Sequence, residues 1–421
     1  MILLATFVIG YLAIAFEHQI KLNKASSALL TGVICWTILV FNNDHDFIHA
    51  ELLEHMGEIS GILFFLLGAM TIVELIDAHD GFDMISSNIK TKKKSTIFLI
   101  ITILAFFLSA VLDNLTTTIV LISLTNKLIR DTKDKLIFAS VIVISANSGG
   151  AWSPIGDVTT TMLWIGGQIT SLKTIEYVFI PSVVSVVIPF FILRFSLKGN
   201  VEAIQESQLV NSKTTASEKN TVLLIGILSL LFVPVFKTLT GLPPFMGMLF
   251  SLGAMWMLTE LIHSGKDTAD KDTLSVNFAI RKIDTPSILF FLGILLSVSA
   301  LQSAGVLKEL AGTLSDWLGN QKTIVMSLGI LSAIVDNVPL VAATQGMYSL
   351  TEFPQDHPFW QFIAYCTGTG GSILIIGSAA GVAAMGLTKI EFFWYIKKIS
   401  LWALLGYFSG AAVFILMNWM N

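Results

Sequence analysis

The chain has 421 residues, of which 54% are hydrophobic and 13% charged, with a formal net charge of −4. Its mean hydropathy is +0.78, and its charge content is about half that of an ordinary soluble domain. These values exclude a conventional soluble core and make a lipid bilayer the expected solvent. A polytopic all-α membrane protein follows, and neither an enzyme nor a nucleic-acid partner is expected.

Apolar runs occur at 2–18, 25–41, 59–76, 96–126, 136–168, 175–197, 221–240, 244–262, 287–304, 323–349, 361–387 and 391–418. Most are close to the ~20 residues that a helix needs to cross the hydrocarbon core. The first begins Met1-Ile2-Leu3-Leu4, without the basic stretch and cleavage site of a signal peptide, and reads as a retained membrane helix. Cys35 and Cys366 lie far apart within apolar runs and read as small buried hydrophobes, so no disulfide is expected. Between the second and third runs, Asp44, Asp46, Glu51, Glu54 and Glu58 occur with no Lys or Arg. His45, His49 and His55 in that segment show no metal spacing. Glu74 and Asp77, like Glu260 and His263, fall at run ends and read as interfacial, and Glu17-His18 reads as an anchor for the first helix.

The run 96–126 is flanked by Lys90, Lys92, Lys93 and Lys94 before it and by Lys127, Arg130, Lys133 and Lys135 after it. Basic residues on both sides predict that both flanks are cytoplasmic. The run is then a re-entrant hairpin with Asp113-Asn114 at its tip. The run 323–349 has poorly basic flanks and reads as a hairpin entering from outside, with Asp336-Asn337 at its tip. Ten spans remain. Under this topology 21 of the 25 basic residues are cytoplasmic, and Lys173, Lys237, Lys308 and Lys322 are external. Both termini then lie outside.

A polar linker at 198–220 divides the chain into repeat 1, at 1–197, with hairpin 96–126 and broken helix 136–168, and repeat 2, at 221–421, with hairpin 323–349 and broken helix 361–387. Each repeat holds five crossings and one hairpin. An odd number of crossings makes the second repeat enter from the opposite face, so the repeats are expected to be inverted.

A four-part pattern recurs across these halves. Ile62-Leu63-Phe64-Phe65-Leu66 returns at Ile288 after 226 residues, and Asp113-Asn114 returns at Asp336 after 223. Gly149-Gly150 and Ile155-Gly156-Asp157 return at Gly370 and Ile376-Gly377-Ser378, both after 221. Asp or Asn at a hairpin tip caps the returning helix. Ser or Thr would cap as well without placing a carboxylate in hydrocarbon, so the aspartates point to an ion. Ser145 through Asp157 contains glycines, a proline and hydroxyls and is expected to unwind, freeing backbone carbonyls. With Asp157, Asn147 and Thr159 these would supply oxygen ligands for a hard cation. The second copy has Ser378 in place of Asp157 and Gly368 in place of Asn147, so the first copy is the richer cation site. No Lys or Arg lies in the runs bearing the aspartates, which leaves a bound cation or a proton as counter-charge. Competition between Na⁺ and H⁺ for such a cluster produces exchange.

The Asp-Asn tips, the stretch Ser145 to Thr160, and Glu17-His18 with Lys21 and Lys24 resemble the NhaD-type Na⁺/H⁺ antiporters. These belong to the ion transporter superfamily, with arsenite and divalent-anion carriers as relatives. The resemblance implies a homodimer in a bacterial inner membrane and alternating access by elevator-like movement, with Na⁺ or Li⁺ leaving the cell in exchange for H⁺. It carries ion-binding and proton-exchanging roles onto Asp113, Asn114, Asn147, Asp157, Thr159, Thr160, Asp336, Asn337 and Ser372. Na⁺ is expected at Asp113, Asn114, Asn147 and Asp157, and no cofactor. Dicarboxylate carriers of this architecture place neutral residues at the tips, because an anion needs donors rather than fixed negative charge. An arsenite-type metalloid carrier stays open as an alternative. An intramembrane aspartyl protease would leave the duplicated pattern without a purpose.

Overall fold

The computed structural model describes residues 2–15, 17–42, 44–82, 89, 91–201 and 214–418, so most of the expected linker, and Lys90 of the expected hairpin flank, lie outside the described residues. The first half contains α1 (Ile2–Ala15), α2 (Glu17–Ile20), α3 (Lys24–Asn42), α4 (His45–Ala78), α5 (Lys94–Leu112), α6 (Asn114–Leu128), α7 (Thr132–Ala151), α8 (Val158–Ile165) and α9 (Ser171–Arg194). The second contains α10 (Ala216–Thr240), α11 (Pro244–Ile262), α12 (Thr268–Thr273), α13 (Val276–Lys282), α14 (Thr285–Ser303), α15 (Val306–Leu318), α16 (Gln321–Leu331), α17 (Asn337–Met347), α18 (Pro358–Gly370), α19 (Ala379–Thr388) and α20 (Phe392–Asn418), the last with a π-helical turn at Ile396–Ser400. Among the described residues the only β pairing is one antiparallel bridge, Lys93 to Asn200.

Among the described residues eight helices are long and apolar enough to cross a membrane: α3, α4, α5, α9, α10, α11, α14 and α20. Their outer surfaces are apolar as well. On α10, Leu224, Leu228, Leu231, Val235 and Leu239 are all exposed and recur every three or four residues, which is a lipid-facing stripe. The chain is a multi-span membrane protein. Of the ten spans expected, the first is the short helix α1, and 136–168 and 361–387 each resolve into two shorter helices.

Four pairs of helices approach at backbone distance, two of them as copies of one arrangement. A Cβ on Gly32 of α3 would lie 2.8 Å from the Gly293 carbonyl of α14, and one on Gly293 would strike the backbone of Ala28 and Leu29. Gly406 and Gly410 of α20 meet the Ser185 and Pro181 carbonyls of α9 in the same way. In a bilayer, where burial of apolar side chains gives no preference for protein over lipid, such contact is the main source of helix adhesion.

The third set is duplicated. In the first half Ser109 of α5 donates to the Ala146 carbonyl of α7 at 2.6 Å; in the second, Ser332 after α16 donates to the Thr367 carbonyl of α18 at 2.9 Å. A Cβ at Gly149 would strike the Phe106 carbonyl, and one at Gly370 would strike that of Gly329. Gly156 abuts the Ser109 carbonyl as Gly377 abuts that of Ser332.

The duplicated glycines correct one expectation. Gly149 and Gly150 do not unwind their helix; α7 continues to Ala151, and the break is Trp152–Asp157. Its counterpart α18 continues to Gly370, and the break there is 371–378. Glycine destabilises a helix largely by exposing backbone to water and by its freedom when unfolded. Every residue from Phe138 to Ala151 is buried, so the exposure is removed, and the close crossing requires the absent side chain.

On the side where α4 and α11 end, His79 and His263 stack with centroids 5.0 Å apart and Nε2 atoms separated by 2.8 Å. His79 Nδ1 is 2.6 Å from the Leu75 carbonyl and therefore donates to it, which makes His79 Nε2 the acceptor from His263. Burial pushes both imidazoles below their ordinary range, His263 to about 4, with Lys266 beside both and Lys271 adding to the effect on His263, while Glu218 opposes it at each and Asp80 at His79. Because the unfolded chain then binds more protons, stability is full above about pH 6.5 and is lost as pH falls toward 4. We expect the melting temperature in detergent to drop across that interval, by a contribution on the order of 3 kcal/mol at its acid end. The same titration of His263→Gln is expected to be flatter, and an equal slope in both proteins would remove His263 as the cause.

Candidate functional site

The two helix pairs and the two helix breaks meet in the interior. Asp113 joins α5 to α6 with φ of +85°, a conformation that non-glycine residues adopt rarely. Its carboxylate accepts from the Thr116 N–H and hydroxyl, both at 2.8 Å, and caps α6. The base of this helix pair is tied by Lys94 at the start of α5, which lies 2.5 Å from Asp134 at the start of α7. Asp336 caps α17 through the Val338 N–H at 3.2 Å. Both expected tips are therefore turns between helices, each capped by its own aspartate.

The centre is Asp157, at the N-cap of α8 and only 2% exposed. Oδ1 accepts from the Thr159 N–H at 2.8 Å and from the Thr159 hydroxyl at 2.6 Å. Oδ2 accepts from Asn114 Nδ2 at 2.5 Å. Asn337 Nδ2, from the other half, lies 3.4 Å from both oxygens. Asn114 Nδ2 also donates to Asn147 Oδ1 at 3.0 Å, and Asn147 Nδ2 donates to Ser378 Oγ at 2.9 Å. One polar chain thus runs from Asp157 through two buried amides into the second half. Every donor to Asp157 is neutral, so its charge is distributed over hydrogen bonds without a direct ion pair.

The residues expected from the sequence separate into groups. Asn114, Asn147, Asp157, Thr159 and Asn337 are joined directly. Asp113 and Asp336 line the same cavity of about 60 Å³ as Asp157, Asn114 and Asn337. Thr160 stands behind the site, donating to the Asp157 carbonyl at 2.9 Å. Ser372 is not brought to this cavity. Its hydroxyl donates to the Thr369 carbonyl at 2.7 Å, and its own carbonyl accepts from the Tyr395 hydroxyl at 2.8 Å.

Several carbonyls expected to be free for a cation are engaged: that of Ser153 by the Gly156 N–H at 3.3 Å and that of Pro154 by the Thr161 hydroxyl at 2.9 Å. Two residues outside the expected site set reach it or its cavity. Ser378 was read only as a neutral substitute for Asp157, yet its hydroxyl holds Asn147. No Lys or Arg lies in the runs that carry the aspartates, as expected, but Lys24 lines their cavity from α3. Spacing along the chain offered no signal, because Lys24 lies in a run remote from all three.

A wider cavity of about 640 Å³ opens beside the first and shares Lys24, Met70, Leu115, Thr116, Ser287 and Ala379 with it. Its walls include Glu17, Glu74, Asp77 and Asp284. Lys282, also in the wall, pairs with Glu74 at 3.5 Å.

The family profile described as citrate transporter matches residues 5–360. Sodium/proton antiporter 1 of Arabidopsis thaliana is 48% identical over 413 residues, covering 98% of this chain and 71% of that protein. Sodium/proton antiporter 2 of the same plant is 45% identical over 416 residues, covering 98% of each. The Na⁺/H⁺ antiporter NhaD of Alkalimonas amylolytica is 28% identical over 451 residues, covering 99% of this chain and 90% of the other. These relatives are transporters, which agrees with the absence of any expected enzymatic chemistry, and they bear out the resemblance read from the Asp-Asn tips. The chain belongs to the citrate-transporter family, among the NhaD-type Na⁺/H⁺ antiporters.

Proposed function

We propose that this protein exchanges Na⁺ or Li⁺ for H⁺ at Asp157, with alternating access between the two sides of the membrane. The observation that carries the reading is the placement of three carboxylates, Asp113, Asp157 and Asp336, around one small cavity beside buried amides. Fixed negative charge suits a cation and opposes citrate or another carboxylate anion. Asn114 and Asn337 present N–H groups to the Asp157 carboxylate. Rotation of either amide would turn its carbonyl oxygen to an arriving Na⁺. A proton on Asp157 satisfies the same carboxylate by removing its charge, so the two ions compete for one group.

The duplicated contacts at Ser109 and Ser332, and at Gly149 and Gly370, support two repeats divided near 198–220. The Lys94–Asp134 pair supports reading α5 and α6 as a re-entrant pair, since it ties the beginning of one arm to the segment just after the other. With the basic flanks cytoplasmic, the wider cavity opens to the cytoplasm and the proposed state faces inward. The homodimer, the elevator movement and the external termini belong to this proposal. The relatives come from a plant and from bacteria, so the proposed location is a membrane that carries a proton gradient, of which a bacterial inner membrane is one case.

Everted vesicles containing the protein provide the test. With an inside-acid ΔpH imposed at alkaline pH, addition of Na⁺ or Li⁺ is expected to dissipate the gradient. Persistence of the gradient after both additions, where vesicles of an active antiporter respond, would rule the reading out.

A further inference from the structure

We infer that Lys24 acts as a valence filter on the ion pathway, admitting Na⁺ to the aspartate cavity while disfavouring divalent cations; the inference rests on the cation-exchange reading above. Lys24 is the one basic residue among those lining the small cavity, and it also lines the wide one. It therefore stands where a cation moves from vestibule to site.

Its position is fixed from several directions. It is the first residue of α3, and its backbone N–H donates to Glu17 at 3.2 Å. Asn23 caps the same turn through the Ala25 N–H at 2.8 Å. The Lys24 ammonium sits 4.6 Å from the centre of the Phe290 ring on α14, an attractive arrangement that keeps the charge in place. The crossing at Gly32 and Gly293 locks α3 against α14, so the ammonium and its aromatic seat belong to one packed unit.

Three carboxylates lining one cavity attract a dication more strongly than Na⁺. The vestibule adds Glu17 of α2, Glu74 and Asp77 of α4, and Asp284 before α14, with Lys282 partly offsetting Glu74. Such a wall concentrates cations of either valence. The repulsion from a fixed ammonium is linear in the charge of the approaching ion, so a dication is penalised twice as much in free energy as Na⁺ at the same place. In concentrations this is a square relation. Whatever factor loss of the charge gives to Na⁺ affinity, a divalent ion gains about the square of it.

That relation defines the experiment in everted vesicles. Two quantities are measured, the Na⁺ concentration giving half-maximal gradient dissipation and the Mg²⁺ or Ca²⁺ concentration giving half-inhibition. In Lys24→Gln the first is expected to fall about fivefold and the second about 25-fold. Lys24→Arg retains the charge and is expected to retain the wild-type ratio of the two concentrations. Equal shifts for Na⁺ and the divalent ions, or no shift in either, would overturn the inference. Should Lys24→Gln fail to insert, Phe290→Leu displaces the ammonium without removing it. A square-related shift of both concentrations supports the inference there, and unchanged concentrations overturn it. Wild-type vesicles that show no Na⁺-dependent dissipation would instead overturn the antiport reading itself.

Discussion

Asp157→Asn is expected to abolish Na⁺- and Li⁺-dependent proton movement while leaving the protein inserted. The carboxylate is 2% exposed and receives Thr159, Asn114 and Asn337. An amide of the same shape keeps the N-cap acceptor for Thr159, so α8 should still start where it does. What it cannot do is carry a negative charge or bind and release a proton. Loss of a charged partner costs about 3 kcal/mol, which corresponds to about 100-fold in ion affinity. Loss of the titrating proton removes the other half of the exchange. The check is gradient dissipation by everted vesicles with insertion verified by immunoblot. Normal exchange would exclude Asp157 from the site. Asp157→Glu retains charge but lengthens the side chain in a closely packed interior, and it is expected to retain a fraction of the activity.

Gly149→Ala and Gly370→Ala should each cost stability and activity, although alanine is the better helix former. A Cβ at Gly149 would collide with the Phe106 carbonyl, and one at Gly370 with the Gly329 carbonyl. These obstructing atoms are backbone, which cannot move aside as a flexible side chain can. Overpacking of this kind costs about 1–3 kcal/mol, and relief requires the helices to separate. Separation of α5 from α7 would displace Asn114 and Asn147 from Asp157. Gly253 is the control: it lies in α11 with open space around the Cβ position. Gly253→Ala is expected to be neutral or to stabilise by up to about 1 kcal/mol through helix propensity alone. Thermal unfolding in detergent compares the three. Equal behaviour would mean that the glycines act through propensity and not through the crossings.

The family profile carries a citrate description, whereas the relatives aligned over nearly the full chain are sodium/proton antiporters. On the cation-exchange reading proposed above, charge at the helix caps, and not the course of the helices, would select the sign of the ion. Asp113 and Asp336 put carboxylates where an anion carrier would need neutral donors. The framework is legible in the duplicated contacts of backbone and hydroxyl.

The sequence by itself determined the solvent, the helical class and the two Asp-Asn turns, and it named Asp157 among the candidate site residues. These signals are local: a 20-residue apolar run or a carboxylate within it has few physical solutions in a bilayer. The extent of each helix break, the engagement of backbone carbonyls, the Asn147–Ser378 link and the presence of Lys24 were decided only by tertiary structure. Each depends on two segments that are distant in sequence and packed in space. Gly149 alone reads as a helix breaker; against the Phe106 carbonyl it becomes a crossing point. Lys24 is remote in sequence from all three aspartates; the packing of α3 brings it to the wall of their cavity.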